Sequence, residues 1–486
     1  MANSASEIQS PIIEQISDCT YRIAATKSSV PVHIYATPNI LAKLKTDKSL
    51  QQAMNMAKLP GIVGQSIVMP DAHQGYGFPI GGVAAFPFKD GIISPGGIGF
   101  DINCGIRCEA TNLTESQVKE KLPQLLDAIF AKIPVGQGGE SPLHRLSHAE
   151  LDIVLTKGLQ WAKEKGYATQ DDLERCEAGG CVAGADPLKV SPTGKARGKN
   201  QLGTLGGGNH FIEIQVVDEI YDLEVAKTFR ITGVGQVLVM VHSGSRGVGH
   251  QTCSEYLRKM EDEFPQIADS LPERDLLYAP LSSQIAKDYF AAMCACANFA
   301  WTNRFLMARS AREALVEVFG STVEVKPIYD VAHNIAKRET HVVDGVEMDL
   351  LVHRKGATRA FAAGHDELPA VYKSTGHPVL IPGSMGTSSF ILVGTEKGMA
   401  TTFGSTAHGS GRIMSRVQAM KDFDGEKVAA DLLSQQGIIV KAPKLSAIAD
   451  EAPGVYKDSF EVVDANERAG ISRKIVRLRP LGVIKG

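Results

Sequence analysis

The stretch GSTAHGSGR, residues 404–412, sets one histidine, His408, among small residues and a single arginine, Arg412. Glycine and serine on both sides let a phosphate approach the backbone without meeting a Cβ. Three uses are open to an imidazole there: satisfied core group, metal ligand or nucleophile. Other glycine-flanked stretches carry metal-type donors. In SPGGIGFDINCGIRC (94–108), Asp101 and Cys104 lie three apart in a turn, a spacing at which carboxylate and thiolate can converge on one metal. Taken alone, Cys104 reads as a small buried hydrophobe, and Cys108 is read that way. In GTLGGGNHFIEI (203–214), three glycines precede Asn209 and His210, and Glu213 follows. Such a loop can turn backbone amides toward a phosphate. It lacks the Lys-Ser/Thr of a Walker loop.

His242 ends the apolar run of VMVHSGSRG, where a strand fixes the side chain and the next loop stays open. Arg246 in that loop suits bidentate phosphate contact. His333 and Asn334 follow the strand-like VEVKPIY, and IPGSMGTSS (381–389) forms another Gly/Ser loop. Taken singly, each histidine reads as structural. Taken together, Asp101, Cys104, His210, His242 and His333 read as a metal centre beside a phosphate pocket. Thiolate and imidazole favour Zn²⁺, whereas carboxylate leans toward Mn²⁺ or Mg²⁺. His33, His144, His148, His341, His353 and His377 have ordinary surroundings, and His73 in MPDAHQGYGFPIGG either joins the site or packs beside it.

The elements that must position these residues are legible in outline. TESQVKEKLPQLLDAIF opens with a capping box from Thr114 to Gln117 and predicts a helix. HAELDIVLTKGLQWAKEKG (148–166) is amphipathic, and 283–319 predicts a long, central, buried helix. QVLVMVH (236–242) predicts a buried strand, ETHVVDGVEMDLLVH (339–353) a hairpin turning at Asp344-Gly345, and PVLI and SFILVG two strands around a loop. The basic tract SPTGKARGKNQL (191–202) reads first as a solvated loop and second as an RNA- or phosphate-contacting one. Helices and strands mix without a βαβ rhythm. The expectation is an α+β fold in a single large mixed domain over 1–486, with central β structure surrounded by helices. An N-terminal part over 1–60 and a peripheral insertion near 135–200 stand somewhat apart.

The 486 residues carry a formal net charge of −3, so a polyanion must be held locally rather than by a basic surface. Arg246, Arg412, Arg416 and the C-terminal RKIVRLR can supply that local charge. Eight scattered cysteines show no disulfide framework, which fits a reducing compartment. The polar start MANSASEIQS has no signal-peptide core, and no apolar run approaches the roughly eighteen residues of a membrane span; the chain reads as cytoplasmic.

In order along the chain, DINCGIR, GGGNHFIE, HSGSRG, VAHN, PGSMGTSSF, AHGSGR and LRPLGVIKG resemble the motifs of the RtcB family of RNA-splicing and RNA-repair ligases, from about residue 60 to the C-terminus. The resemblance implies joining of an RNA 3′-phosphate or 2′,3′-cyclic phosphate end to a 5′-hydroxyl end, with GTP and two Mn²⁺ ions, transfer RNA halves being one such substrate. It implies that His408 takes up guanylate from GTP and passes it to the RNA 3′-phosphate. Asp101, Cys104, His210, His242 and His333 would bind the metals, with Cys104 bridging. Asn209, His210, Phe211, Ile212, Glu213, His333, Asn334, Pro382, Gly383, Ser384, Met385, Ser389, His408, Gly409, Ser410, Gly411 and Lys485 would form the guanylate pocket, Glu213 and Lys485 reading the guanine. Arg246 and Arg412 would contact phosphate or RNA. The competing reading is a metal-dependent phosphoesterase or cyclic phosphodiesterase acting on RNA ends, which needs the same metal donors. A non-catalytic RNA-binding factor would leave those donors without purpose.

Overall fold

The computed structural model describes residues 11–141 and 146–486. His144 and the polar N-terminal stretch lie outside the described residues. The fold is a mixture of helices and sheet, as expected, and is dominated by two large sheets. The first has seven strands in the order Ile13–Ser17, Thr20–Ile23, Val32–Tyr35, Ser66–His73, Ile80–Pro87, Val346–Lys355 and Asn334–Val343. Its one parallel pairing joins Val32–Tyr35 to Ser66–His73. The second runs Val325–Ala332, Gly105–Thr114, Gln236–Ser243, Phe211–Ile220, Ser472–Lys485, Ser389–Gly394 and Pro378–Ile381, with Ile439–Lys441 added in parallel to Ser472–Lys485. The chain crosses from one sheet to the other at His333, between Val325–Ala332 and Asn334–Val343. The predicted hairpin forms, with Asp344 and Gly345 both at positive φ, as its tight turn requires.

Helix Gln284–Phe319 is the predicted central helix, capped by Ser283, whose hydroxyl accepts the Ala286 N–H. At about 1.5 Å per residue it is long enough to cross most of the fold. Its apolar side chains fill the core that also holds Ile98, Ile102 and Val248. Asn298, Asn303 and Arg304 on it are fully buried and tie it to other segments. Asn298 accepts the Val182 N–H and donates to the Leu155 carbonyl. Asn303 accepts the N–H groups of Gly203 and Thr204 and donates to the Gly244 carbonyl. Arg304 donates to the carbonyls of Asn103 and Ser243, to the Asn103 side chain, and to Asp330.

Two local expectations are corrected. The amphipathic stretch 148–166 is two helices, His148–Lys157 and Leu159–Glu164, because Gly158 takes φ 52° between them. A Cβ there would lie 2.2 Å from the Gly180 carbonyl oxygen, so the break is built into the packing. The tract 191–202 is not simply a solvated loop. Pro192–Gly198 is helical, with the Ser191 hydroxyl accepting the Gly194 N–H and proline at the first position, a start signal that its polarity obscured. The strands PVLI and SFILVG and the helix after Thr114 form where predicted.

Arg304 and Asp330 are both fully buried and lie 2.7 Å apart. Removing one partner of such a pair leaves a buried charge uncompensated. Arg304→Met is therefore expected to lower stability by about 3–5 kcal/mol, read as a fall in the urea midpoint; an unchanged midpoint would refute the role given to the pair.

Candidate metal centre and nucleophile pocket

The second sheet delivers its site residues at one end of adjacent strands. Asp101 and Cys104 sit in the turn that enters Gly105–Thr114, His242 is next to last in Gln236–Ser243, and His210 immediately precedes Phe211–Ile220. The ladder pairs Ile106 with His242 and His242 with Phe211, which sets these positions side by side. His333, at the crossing between sheets, is tied in by its own N–H, which donates to the Cys104 carbonyl at 2.9 Å.

The donor atoms converge. Cys104 Sγ lies 3.2 Å from His242 Nε2 and 3.5 Å from His210 Nε2, and His242 Nε2 lies 3.4 Å from His333 Nε2. His210 Nε2 is 2.9 Å from Asp101 Oδ2. Two sets, Cys104–His242–His333 and Asp101–Cys104–His210, can each hold a metal ion, and they share the sulfur. The chemistry of the donors fits a cation. His210 Nδ1 lies 2.9 Å from the Leu205 carbonyl oxygen, which orients the ring so that Nε2 and the Asp101 carboxylate converge on one place. A cation satisfies both, and a carbonyl behind the ring fixes the metal-binding tautomer. Burial and the neighbouring imidazoles push His242 and His333 well below the ordinary histidine range, keeping both rings neutral. Burial opposes charge on Asp101, but His210 beside it holds the carboxyl below its usual range. Burial and Asp101 together push the Cys104 thiol well up, so a cation bound there would displace its proton.

His408 follows a three-residue strand, Ser405–Ala407, paired to Ala357–Arg359. Its ring packs edge-on to His333, with centroids 4.8 Å apart. Its Nδ1 lies 2.5 Å from Oδ2 of Asp71, and the same oxygen accepts the backbone N–H groups of His408 and Gly409. Asp71 is fully buried at the end of the first sheet's strand Ser66–His73. Burial alone would raise its carboxyl; His408 and Lys457 outweigh burial and hold it below the usual range. Lys457 donates to the carbonyls of Pro70 and Ala72, and its own N–H donates to the Gly411 carbonyl. Gly411 has φ 75°, and a Cβ there would lie 1.9 Å from the Asp71 carbonyl oxygen. Sequence reading missed Asp71. The signal was its place in MPDAHQGYGF, but its partner lies 337 residues away. His73, left ambiguous, sits with Nδ1 3.1 Å from the Asp71 carbonyl oxygen and outside both donor sets.

A pocket of polar groups continues from His408. Glu213 is buried, and its carboxylate accepts from Gln215, which also donates to Ser389; Ser389 in turn accepts the Gly383 N–H. Burial pushes the Glu213 carboxyl up to about 8. Glu213 Oε1, Gln215 Oε1, Ser410 Oγ and Arg412 Nη2 are buried without a protein partner, as a pocket awaiting a polar ligand would leave them. Ser384 donates its N–H to Thr387, and Met385 is buried beside it. Lys485 donates to the Gly208 carbonyl, lies 3.4 Å from Glu451, and stands over the Phe211 ring. Ile212 is buried in the strand after His210, and Asn209 is half-buried in the turn before it.

Asn334 donates to the Asp101 carbonyl and accepts the Gly356 N–H, bridging the metal turn to the strand leading toward His408. Arg246 donates to Thr204 and to the Gly136 carbonyl, bracing the loop before His210. Arg412 follows Gly411, whose φ of 75° turns the backbone, and pairs with Glu451 at 3.1 Å. Glu451, buried among Lys485, Arg412 and Tyr456, is a second residue that sequence reading passed over.

The family model described as "tRNA-splicing ligase RtcB" matches residues 52–486. The chain is 53% identical over 461 residues to the tRNA-splicing ligase RtcB of Pyrobaculum aerophilum, covering 94% of this chain and 95% of that one. It is 50% identical over 460 residues to that of Thermococcus kodakarensis, covering 94% and 95%. With that of Archaeoglobus fulgidus it shares 48% over 481 residues, covering 98% and 99%. Donor cluster, histidine pocket and match along nearly the whole chain agree, and the protein belongs to the RtcB family of tRNA-splicing ligases.

Proposed function

We propose that this RNA ligase joins an RNA end bearing a 3′-phosphate, or a 2′,3′-cyclic phosphate opened first, to a 5′-hydroxyl end, with GTP as co-substrate and transfer RNA halves among its substrates. The observation that carries the reading is the His408–Asp71 pair. Asp71 holds Nδ1, which leaves Nε2 free, and the ring stands against His333 of the donor cluster. A histidine so held is oriented as a nucleophile rather than as a sixth donor. Because the donors come from the second sheet and the seam, and Asp71 from the first, the whole chain is proposed to act as one unit.

His408 Nε2 attacks the α-phosphorus of GTP; the bond to the β-phosphate oxygen breaks and pyrophosphate leaves. An oxygen of the RNA 3′-phosphate then attacks that phosphorus, the P–N bond breaks, and RNA-(3′)pp(5′)G forms. The 5′-hydroxyl, losing its proton, attacks the RNA 3′-phosphorus and GMP leaves. Asp71 offsets the positive charge that the ring gains as the P–N bond forms. Asp101, Cys104, His210, His242 and His333 would hold two Mn²⁺ ions, which neutralise phosphate charge. In this reading the backbone N–H groups of Ser410 and Gly411 would meet a phosphate, that of Gly409 being taken by Asp71. Glu213, with Oε1 unpartnered, faces a ligand's donors, and Lys485 a carbonyl; guanine offers both. In this reading Pro382, Gly383, Ser384, Met385, Ser389, Asn209, Phe211, Ile212 and Asn334 would line the guanylate pocket, and Arg246 and Arg412 would contact phosphate or RNA.

Incubation with α-labelled GTP and Mn²⁺ is expected to leave label on the denatured wild-type protein and none on His408→Ala. Phosphatase activity on RNA ends without GTP-dependent label would favour the phosphoesterase reading instead. Asp71→Asn should retain the fold and slow labelling by about 10²- to 10⁴-fold, the range of a lost proton-handling partner; labelling at the wild-type rate would remove Asp71 from the mechanism. Glu213 is expected to make free-protein stability fall as pH rises from its unfolded value near 4.5 to about 8, because only the unfolded chain loses the proton over that window. The slope is at most about 1.4 kcal/mol per pH unit, and Glu213→Gln should flatten it in urea titrations; an identical pH profile in the variant would show Glu213 ionised in the folded protein.

A further inference from the structure

Beside the Asp101 edge of the cluster lies a row of three rings from three separate segments. Tyr76 is 65% exposed, an unusual state for a large aromatic ring away from an interface. It meets Phe100 edge-on, with centroids 6.1 Å apart and planes at 89°. Phe100 is half-buried and packs tilted against the exposed His250, with centroids 5.2 Å and planes 32° apart. Each ring is held by an element that also serves the site. Lys355 donates to the Tyr76 and Phe78 carbonyls, fixing the loop just after Asp71. Phe100 adjoins Asp101 in sequence. His250 is on helix Arg246–Glu263, whose leading Ser245 N–H donates to Asp101 Oδ1 at 3.1 Å.

Charge accompanies the rings. The short helix Pro192–Gly198 packs on the His250 helix, with Gly198 closing on Val248. It carries the exposed Arg197, whose guanidinium donates to Gln251 and, among the described residues, pairs with no carboxylate. Lys195, by contrast, is taken up by Asp152. An arginine without a carboxylate beside two exposed rings, Tyr76 and His250, joined through Phe100, is the make-up of a track for an unpaired nucleic-acid strand: each base offers a face to a ring, and each phosphate a charge to an arginine. A duplex hides those faces, so the strand that stacks on them is unpaired.

We propose that Tyr76, Phe100 and His250, with Arg197 alongside, form a stacking track that seats unpaired nucleotides of the RNA next to the Asp101 side of the cluster. This rests on the ligase reading above and specifies how its RNA is held. The last nucleotides at a break are then read by stacking, without regard to sequence, and must be single-stranded to enter.

Binding of a fluorescent 5′-hydroxyl oligouridylate, followed by anisotropy, tests the track directly. Tyr76→Ala is expected to weaken binding roughly tenfold and Tyr76→Phe to restore it, as stacking requires. An abasic strand of equal length should bind the wild type as weakly as oligouridylate binds Tyr76→Ala, and should be indifferent to that substitution. Arg197→Ala should lower the slope of log Kd against log salt by about 0.7, the share of one phosphate contact on a single strand. Labelling of His408 by GTP, which involves no RNA, should be unchanged in all these variants. Equal oligouridylate affinity in wild type and Tyr76→Ala would overturn the track. Absent labelling in the wild type would instead overturn the guanylate reading, with the binding result still deciding the track.

Discussion

The site depends on one buried cation. Arg304, in the middle of the central helix and without solvent, grips the Asn103 carbonyl between Asp101 and Cys104, the Ser243 carbonyl beside His242, and Asp330 three residues before His333. Four of the five donors, on three segments, are thus referred to a single planar group. Its five N–H bonds leave in fixed directions, so positions are set as well as energies. Asn303, the preceding residue, does the same for the loop before His210 through Gly203 and Thr204. A helix that would otherwise be only core becomes the jig on which the metal turn, the strand end and the sheet crossing are aligned.

Around that jig the chain accumulates charge where charge is costly. Arg107 is fully buried with Glu109 and Asp172. Glu177 takes Lys337 and Arg359 and accepts the Ala332 N–H just before His333. Such networks are poor investments in bare stability compared with apolar packing. Here they face strands whose far ends carry the donors, and a directional network resists the small shifts that apolar contacts tolerate. The segment 169–180 contributes Asp172 and Glu177, so a region that looked peripheral in sequence backs the donor strands.

What could be read from the sequence followed from signals local in the chain. The helix after Thr114, the Asp344-Gly345 hairpin and the paired strands around 382–388 each announce themselves within a dozen residues or so, through capping, turn chemistry or alternation. Asp101, Cys104, His210 and His242 were legible because glycines stand close to them, and His333 because it follows a strand-like run. Asp71 and Glu451 were not, because a buried carboxylate is recognisable only by the cation or imidazole it meets, and those partners come from distant segments. The break at Gly158 was hidden for the same reason: what forbids a side chain there is the carbonyl of Gly180. Pro192–Gly198 is a different failure, a helix start overlooked because a polar, basic composition suggested solvent first.

The crossing at His333 has a consequence for assembly. Asp101, Cys104 and His210 are all placed by the second sheet, so a chain with that sheet alone in order already presents one donor set. His333 is different: it is held between strands of both sheets, and the His408 ring packed against it leans on Asp71 from the first. In the proposed reading, attack by His408 therefore needs both sheets in place, whereas the Asp101–Cys104–His210 set needs only the second.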